Sequence, residues 1–489
     1  MTTGPLFNGW VGGTFSRRFV AGRSHAYHCG SPCPANPPQP VMRFPFSQLI
    51  LPHVIVLWLF VAGGPSTSVG QNADLTPGAT TVQLPTFGVS IDAAGVVEVR
   101  TVDDPTGALR AARIAAARAT LPGDVQAPAP LRKVSLARLE RAWRKRVEAG
   151  AAPDDVMRHL AGLTNVRFAL LVPAGDSSNG GDVVLAGEAE GWCDDGLGRA
   201  VGLTSGRPVL RLDDLQTALA AYLGDGNGVE GNGVAGGFVG CTIDPTVEGL
   251  ERMKRLRAEI PRTIRDAEQG PFAAELDRRT REALGQANVR VFGVPAETHL
   301  AAVLVEADYR MKRIAVGVEP SPVRLASYVD RATGAPASAL QRYWFVPDYG
   351  RLQTDAKRES LELLGRGLRL QTEDVALVSP ASGAAGKLQT GPSRDPAATS
   401  FCADFTKRFD EIAVRSPAFA ELRTMVDLLV AAAFLRQNDW PSRAGWHPTL
   451  LVDRKQIPFA THAAPQTAAV VVNTVWKGRR MISAAGGGV

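Results

Sequence analysis

The most apolar run in the chain is Leu49–Ala62, and at 14 residues it falls short of the roughly 20 needed to cross a bilayer. The rest of the chain must therefore bury its apolar residues in a water-facing globule. With 45% hydrophobic, 21% charged and 7% aromatic residues, the composition excludes wholesale disorder, a collagen-like fibre and a polytopic membrane protein. At 489 residues the chain has room for about three domains of roughly 150 residues each. Fifty Gly and 34 Pro imply many turns, and five Cys are too few for a disulfide scaffold.

The run at Leu49 sits in a recognisable context. Met42-Arg43 supplies a short positive start, and Ser68 and Gly70 stand at minus three and minus one before Gln71. That is the layout of a cleaved signal peptide over 42–70. Pro52 and the Gly63-Gly64-Pro65 exit argue against a buried core helix. Residues 1–41 precede a complete signal and are expected to be a non-native extension, with translation starting at Met42. The expectation is export, periplasmic or extracellular, with no permanent membrane span after cleavage. Cys193, Cys241 and Cys402 would remain in the mature chain, an odd count that leaves a free thiol or an intermolecular bridge.

Charge follows the same division. The net charge is +6, but residues 1–70 hold Arg17, Arg18, Arg23 and Arg43 and no acid. From residue 71 the balance is 50 basic against 48 acidic residues, or +2. A global nucleic-acid footprint is absent.

Along 71–489 the patterns mix strands with helices. Strands are expected at Phe87–Ile91 and Val96–Arg100, and a helix after Asp104-Pro105. Leu121–Pro130 reads as a Pro/Ala linker. A helix capped by Ser135 carries Leu136, Leu139, Trp143 and Val147 on one face, and another runs from Pro153 to Gly162. Further strands are expected at Val166–Val172, Val183–Gly187, Pro208–Leu212, Gly237–Ile243 and Val289–Phe292. Helices are expected at Asp214–Leu223, from Asp244 to Ile260 and from Pro295 to Met311, the last with Glu306/Arg310 and Asp308/Lys312 as i,i+4 pairs. Strands near Tyr343–Val346 and Glu362–Leu370 close the middle. A Ser416-Pro417 start opens a long apolar helix to Arg436, and strands at Leu450–Asp453 and Ala468–Trp476 end the chain. The fold class is α+β, with short, largely antiparallel sheets in two or three subdomains. The expected organisation is 71–150 as an N-terminal strand pair and helices, 151–382 as a central α+β region, 383–400 as a linker, and 401–489 as a C-terminal helix and strands.

Motifs for chemistry are sparse. Gly224–Gly237 contains G-x-G-x-x-G twice, but a helix precedes it and a strand follows. A dinucleotide site needs the reverse order, so a linker is the better reading. No P-loop, no G-x-S-x-G, no His pair at i,i+4 and no C-x-x-C occurs in the mature chain, and no cofactor or metal is expected. Asp194/Asp195 and Asp213/Asp214 are uninformative as pairs, since adjacent acids face apart and Asp214 reads as a helix cap. Trp192, Tyr343, Trp344 and Phe345 read as strand core more readily than as a sugar platform. Cys241, expected near a helix N-terminus, and His299 are the weak candidates for a nucleophile and base. The run Arg132, Lys133, Arg138, Arg141, Arg144, Lys145 and Arg146 faces one acid, Glu140. It is either a solvated face or a patch for an anionic surface, with Arg138, Arg141, Arg144 and Lys145 as the contact residues.

Several strings carry a resemblance: Gly240-Cys-Thr-Ile-Asp-Pro-Thr246, Glu306-Ala-Asp-Tyr-Arg-Met-Lys312, Pro322-Val-Arg-Leu-Ala-Ser-Tyr328 and Tyr343-Trp-Phe-Val-Pro-Asp348. Leu131-Arg-Lys-Val-Ser-Leu136, Ala189-Glu-Gly-Trp192, Thr204-Ser-Gly-Arg-Pro-Val-Leu210 and Val475-Trp-Lys-Gly478 add to them. In this order the chain resembles, over most of 85–489, exported planctomycete proteins grouped as domain of unknown function 1598. The resemblance implies a bacterial exported protein and brings no activity, cofactor or catalytic residue. The 1–41 segment and the Gly/Asn-rich 224–237 insertion depart from the pattern, and the Gly486–Val489 ending reads as slightly truncated.

The leading expectation is a non-enzymatic envelope or extracellular protein that binds an envelope protein or anionic polymer. The alternative is a secreted hydrolase-like enzyme whose site is assembled from distant residues.

Overall fold

The structure is a computed structural model describing residues 86–486, apart from 92–95, 103, 105, 176–179, 225–238, 261–264, 266–267, 334–339, 350–351, 378–387, 393–394 and 454–462. The 1–41 extension, the signal peptide and all but the first residue of the 224–237 insertion lie outside those residues. The described residues fall within one compact unit, Gln83–Val489.

Strands β1 (Thr86–Ile91) and β2 (Val96–Val102) form the expected antiparallel pair. In α1 (Ala108–Thr120) the first turn is held by Asp104, which accepts from the Leu109 and Arg110 N–H groups. The stretch expected as a Pro/Ala linker instead holds α2 (Gly123–Gln126) and the start of β3 (Ala129–Ser135). Next come α3 (Leu136–Glu148) and α4 (Asp155–Arg158). The expected helix to Gly162 stops at Arg158 because Leu160, Ala161 and Gly162 all take positive φ, where a right-handed helix cannot continue.

β4 (Phe168–Val172), β5 (Asp182–Ala189), the short hairpin β6 (Trp192–Asp194) and β7 (Ala200–Gly202), and α5 (Leu212–Leu223) complete this part. The strand expected at Pro208–Leu212 reduces to one bridge, Val201 with Pro208. β8 (Gly240–Pro245), α6 (Val247–Glu259), α7 (Gln269–Leu284), β9 (Gln286–Phe292), α8 (His299–Ala315) and α9 (Tyr328–Arg331) follow. Then come β10 (Leu340–Asp348), β11 (Gln353–Thr354), β12 (Ser360–Glu362), β13 (Gly367–Leu377) and β14 (Leu388–Pro392). The C-terminal part holds α10 (Pro396–Lys407), α11 (Phe409–Arg415), α12 (Pro417–Gln437), α13 (Trp440–Ala444), β15 (Thr467–Ala469), β16 (Val471–Lys477) and β17 (Arg480–Gly486). The 383–400 segment, expected as a linker, therefore contains β14 and the first turns of α10, which Asp395 caps. Leu450–Asp453, expected as a strand, is a turn.

The fold is α+β. Two five-stranded sheets run in the orders β1-β2-β15-β9-β8 and β11-β12-β4-β5-β3, joined by a three-stranded sheet β10-β13-β14 and two hairpins. All pairings are antiparallel except β15 with β2. The first sheet interleaves strands from the beginning, middle and end of the chain. One main apolar core runs from Leu136 to Ala484, so it crosses every expected domain boundary in 136–484. At its centre lie α8 and α12, each buried along nearly its whole length. Two small satellite clusters carry the β6–β7 hairpin. One gathers Leu121, Val125, Trp192, Ala200 and Val209, and the other Cys193, Val201 and Leu203.

Candidate functional site

The basic helix is well anchored. The Ser135 hydroxyl accepts from the Arg138 N–H at 3.1 Å and donates to Asp182 at 2.5 Å, which fixes the N-terminus of α3 against β5. Leu136 and Trp143 are fully buried, Leu139 is partly so, and Val147 is exposed. Glu140, the single acid of the run, points inward. It accepts from Trp446 Nε1 at 2.8 Å, from Thr449 N at 2.5 Å and Oγ1 at 3.1 Å, and from Leu450 N at 2.7 Å.

Burying the acid leaves the outer face cationic. Arg138, Arg141, Arg144 and Lys145 are exposed. Positions 138, 141 and 145 are spaced i, i+3, i+7 and so form one line along the helix. Among the described residues these three form no ion pair, whereas Arg144 reaches Thr449 Oγ1 at 2.7 Å and lies 4.0 Å from Glu140. The remaining cations divide by role. Arg132 turns inward to the carbonyls of Ala161 at 2.5 Å, Asp124 at 3.0 Å, Ala127 at 3.0 Å and Val125 at 3.2 Å. Arg146 binds the Ala152 carbonyl at 2.6 Å. Lys133 is exposed on β3, an edge strand.

Cys241 and His299 occupy separate neighbourhoods. Cys241 lies on β8 opposite Val291. Burial, with Asp308 adding to it, pushes its thiol well above the ordinary range, so it stays protonated. The charges acting on it are Asp308, Lys312 and Asp244. His299 is the first residue of α8, and at 1.5 Å per residue Asp308 lies about 13 Å further along the axis. The expected helix cap at Asp244 is also displaced. Thr246 caps α6, and Asp244 pairs with Arg342 at 3.3 Å. A Cys241–His299 dyad is therefore not assembled.

His299 instead enters a buried ionic cluster that sequence reading missed. Its Nδ1 lies 2.9 Å from Asp214 on α5, and its Nε2 lies 3.7 Å from Glu421 on α12. Glu421 also accepts from Arg199 Nε at 2.8 Å, and the Nη2 of Arg199 meets Glu306 of α8 at 2.5 Å. Arg199 stands at the end of the β6–β7 turn, 3.7 Å from Asp195. Arg211 pairs with Asp213 at 2.7 Å and lies 4.0 Å from Asp214, and Arg310 joins Glu306 at 3.9 Å to Glu319 at 2.9 Å. The Glu306/Arg310 and Asp308/Lys312 pairs form as expected, but inside the protein.

Burial disfavours the charged imidazole, but Asp214 and Glu421 outweigh it and raise the His299 pKa. Burial also raises the carboxyls of Asp214, Glu306 and Asp195, against the opposing pull of their cationic neighbours. Both imidazole nitrogens thus face carboxylates, an arrangement that holds a proton on the ring and does not turn the ring toward a nucleophile. The two carboxylates lie at opposite ring nitrogens and cannot converge on one ion. Among the described residues, no group of three His, Cys, Asp or Glu side chains is arranged to hold a metal.

Three of the aromatic candidates pack in or against core, whereas Trp344 is half-buried with the Arg342 guanidinium over its ring at 5.9 Å. Trp192 is buried, packs on the His159 ring at 5.0 Å and donates to Asp155 at 3.2 Å. Tyr343 and Phe345 pack edge-on or tilted against Phe401, Phe405 and Phe419. No described helix is long and apolar enough to cross a membrane.

The signal for the ionic cluster was present but unread. α8 carries Glu306, Asp308, Arg310 and Lys312 within a helix whose other positions are largely apolar. Charged i,i+4 pairs on opposite faces of such a helix cannot both reach solvent, so they must be buried with partners. No curated protein and no solved structure matches the chain. A family model described as a protein of unknown function (DUF1598) matches residues 241–328, from Cys241 on β8 through all of α8 to Tyr328.

Proposed function

We propose that this chain is an exported bacterial protein of the planctomycete envelope or exterior, non-enzymatic, that binds an anionic polymer or acidic protein surface through α3. The line of Arg138, Arg141 and Lys145 carries this reading: three exposed cations on a helix whose other face is locked by Trp143 and Glu140. A rigid helix presents charge at fixed spacing with little ordering cost on binding. The leader over 42–70 supports export. The hydrolase-like alternative loses its only nominated pair, because Cys241 and His299 lie in different charge environments.

The triple reversal Arg138→Glu, Arg141→Glu, Lys145→Glu tests the reading. It should elute from a sulfated-polysaccharide column at clearly lower salt than the parent, with an unchanged thermal transition. It should also leave the envelope fraction of its own cells. Identical elution and fractionation would remove α3 from the account.

A further inference from the structure

We propose that His299 is a proton-held clamp joining α5, α8 and α12, so that this junction tightens when the ring is charged and loosens when it is neutral. Facing the ring are Asp214, with Asp213 beside it, from α5 and Glu421 from α12. Behind these stand Arg211 at the start of α5, Arg199 and Asp195 from the β6–β7 hairpin, and Glu306, Arg310 and Arg313 of α8 with Glu319 beyond it. Asp308 and Lys312 pair with each other at 2.7 Å and cancel.

Among the described ion pairs, the carboxylates Asp195, Asp213, Asp214, Glu306, Glu319 and Glu421 are set against the guanidiniums of Arg199, Arg211, Arg310 and Arg313. An imidazolium at His299 adds a positive charge at the start of α8, between the carboxylates that α5 and α12 present to it. With a neutral ring, Asp214 and Glu421 flank an uncharged group in a largely buried site, and each must lean on a guanidinium already shared with another acid.

The sign follows from linkage. The folded-state pKa of His299 is raised by its carboxylate neighbours, after burial has opposed them. Its contribution is therefore complete below the ordinary histidine range and is lost as pH rises through the raised value. The raised carboxyls of Asp214 and Glu306 act in the same direction, since each favours the protonated cluster. This clamp is thus released by alkali, opposite to an acid-released histidine switch.

Hydrogen–deuterium exchange of the full chain tests it, read at the peptides covering 212–223, 299–305 and 417–427 between about pH 6 and about pH 9 and corrected for intrinsic exchange. Between the ordinary histidine range and the ring's raised pKa, protection in these peptides should fall by up to about tenfold per pH unit and then level off, while the β16–β17 hairpin stays unchanged. Glu421→Gln, which keeps the size of the side chain but removes one facing charge, should blunt the alkaline loss. His299→Gln should give low, pH-independent protection at the junction. Protection in the parent that does not vary across this range would overturn the clamp, as would a Glu421→Gln variant with an undiminished alkaline loss. If His299→Gln fails to fold, the parent and Glu421→Gln profiles still decide.

Discussion

At the scale of single residues, the chain buries charge where a simpler solution was available, and each case has a measurable cost. Asp427 is the lone acid in the apolar part of α12 and is fully buried, with the Tyr349 hydroxyl donating to it at 2.7 Å. Burial pushes its pKa up to about 6, against the pull of Arg423. The ionised form is therefore penalised. The penalty is absent below the ordinary aspartate range, grows as pH rises toward about 6, and is complete above it. Asp427→Asn should stabilise the protein at alkaline pH by about 1–3 kcal/mol and make little difference in acid. Urea unfolding at both pH values checks this, and equal differences at the two would show that Asp427 is not the titrating group. Gly162 is constrained differently. Its φ is +82° and a Cβ there would meet the Glu190 carbonyl oxygen at 2.0 Å, so the turn that ends α4 needs glycine.

At the scale of elements, α3 shows how an inward-facing acid shapes an outward-facing basic surface. Its cap and its apolar face were readable, since Ser135 and the Leu136–Trp143 spacing are local signals. Glu140 looked like a diluted counter-charge but is a buried clasp for the 446–450 segment, some 300 residues away in sequence. Glu140→Ala leaves the Trp446 and Leu450 donors buried without their acceptor and should cost about 3 kcal/mol or more, with Glu140→Gln costing less. Equilibrium unfolding measures both, and a cost near zero for the alanine variant would show that the segment finds other partners. The misread elements share a cause. β3 contains Pro130, and β14 follows a Gly/Ala-rich stretch. Composition that reads as linker is compatible with an edge strand, where one row of hydrogen bonds is not needed. β3 and β14 are both edges.

At the scale of the whole molecule, the sheet order joins what the sequence order separates. β15 lies between β2 and β9, pairing residues 467–469 with 96–97 and 286–288. Val471, Val472 and Ile482 are buried in the main core. Ending the chain before residue 464 would split a five-stranded sheet and open that core. Such a fragment should lose its cooperative thermal transition, as near-UV circular dichroism would record. A sharp transition retained in the fragment would mean that the C-terminal strands are an appendage. The main core and the first sheet thus draw on residues from 71–150, 151–382 and 401–489 alike, within the compact unit Gln83–Val489.

What the sequence determined by itself is local: caps such as Ser135, the hairpin at 86–102, the period of α3, and the pairing of Glu306 with Arg310 and Asp308 with Lys312. These depend on neighbours a few residues apart, which a pattern records. What only the tertiary structure decided is burial, and with it the meaning of each charge. Asp195, Arg199, Asp214, His299, Glu306 and Glu421 come from four separate stretches and meet only because α5, α8, α12 and the β6–β7 hairpin pack together. A charged side chain has the same letter whether water or protein surrounds it, and the dielectric that gives it a role is made by the fold.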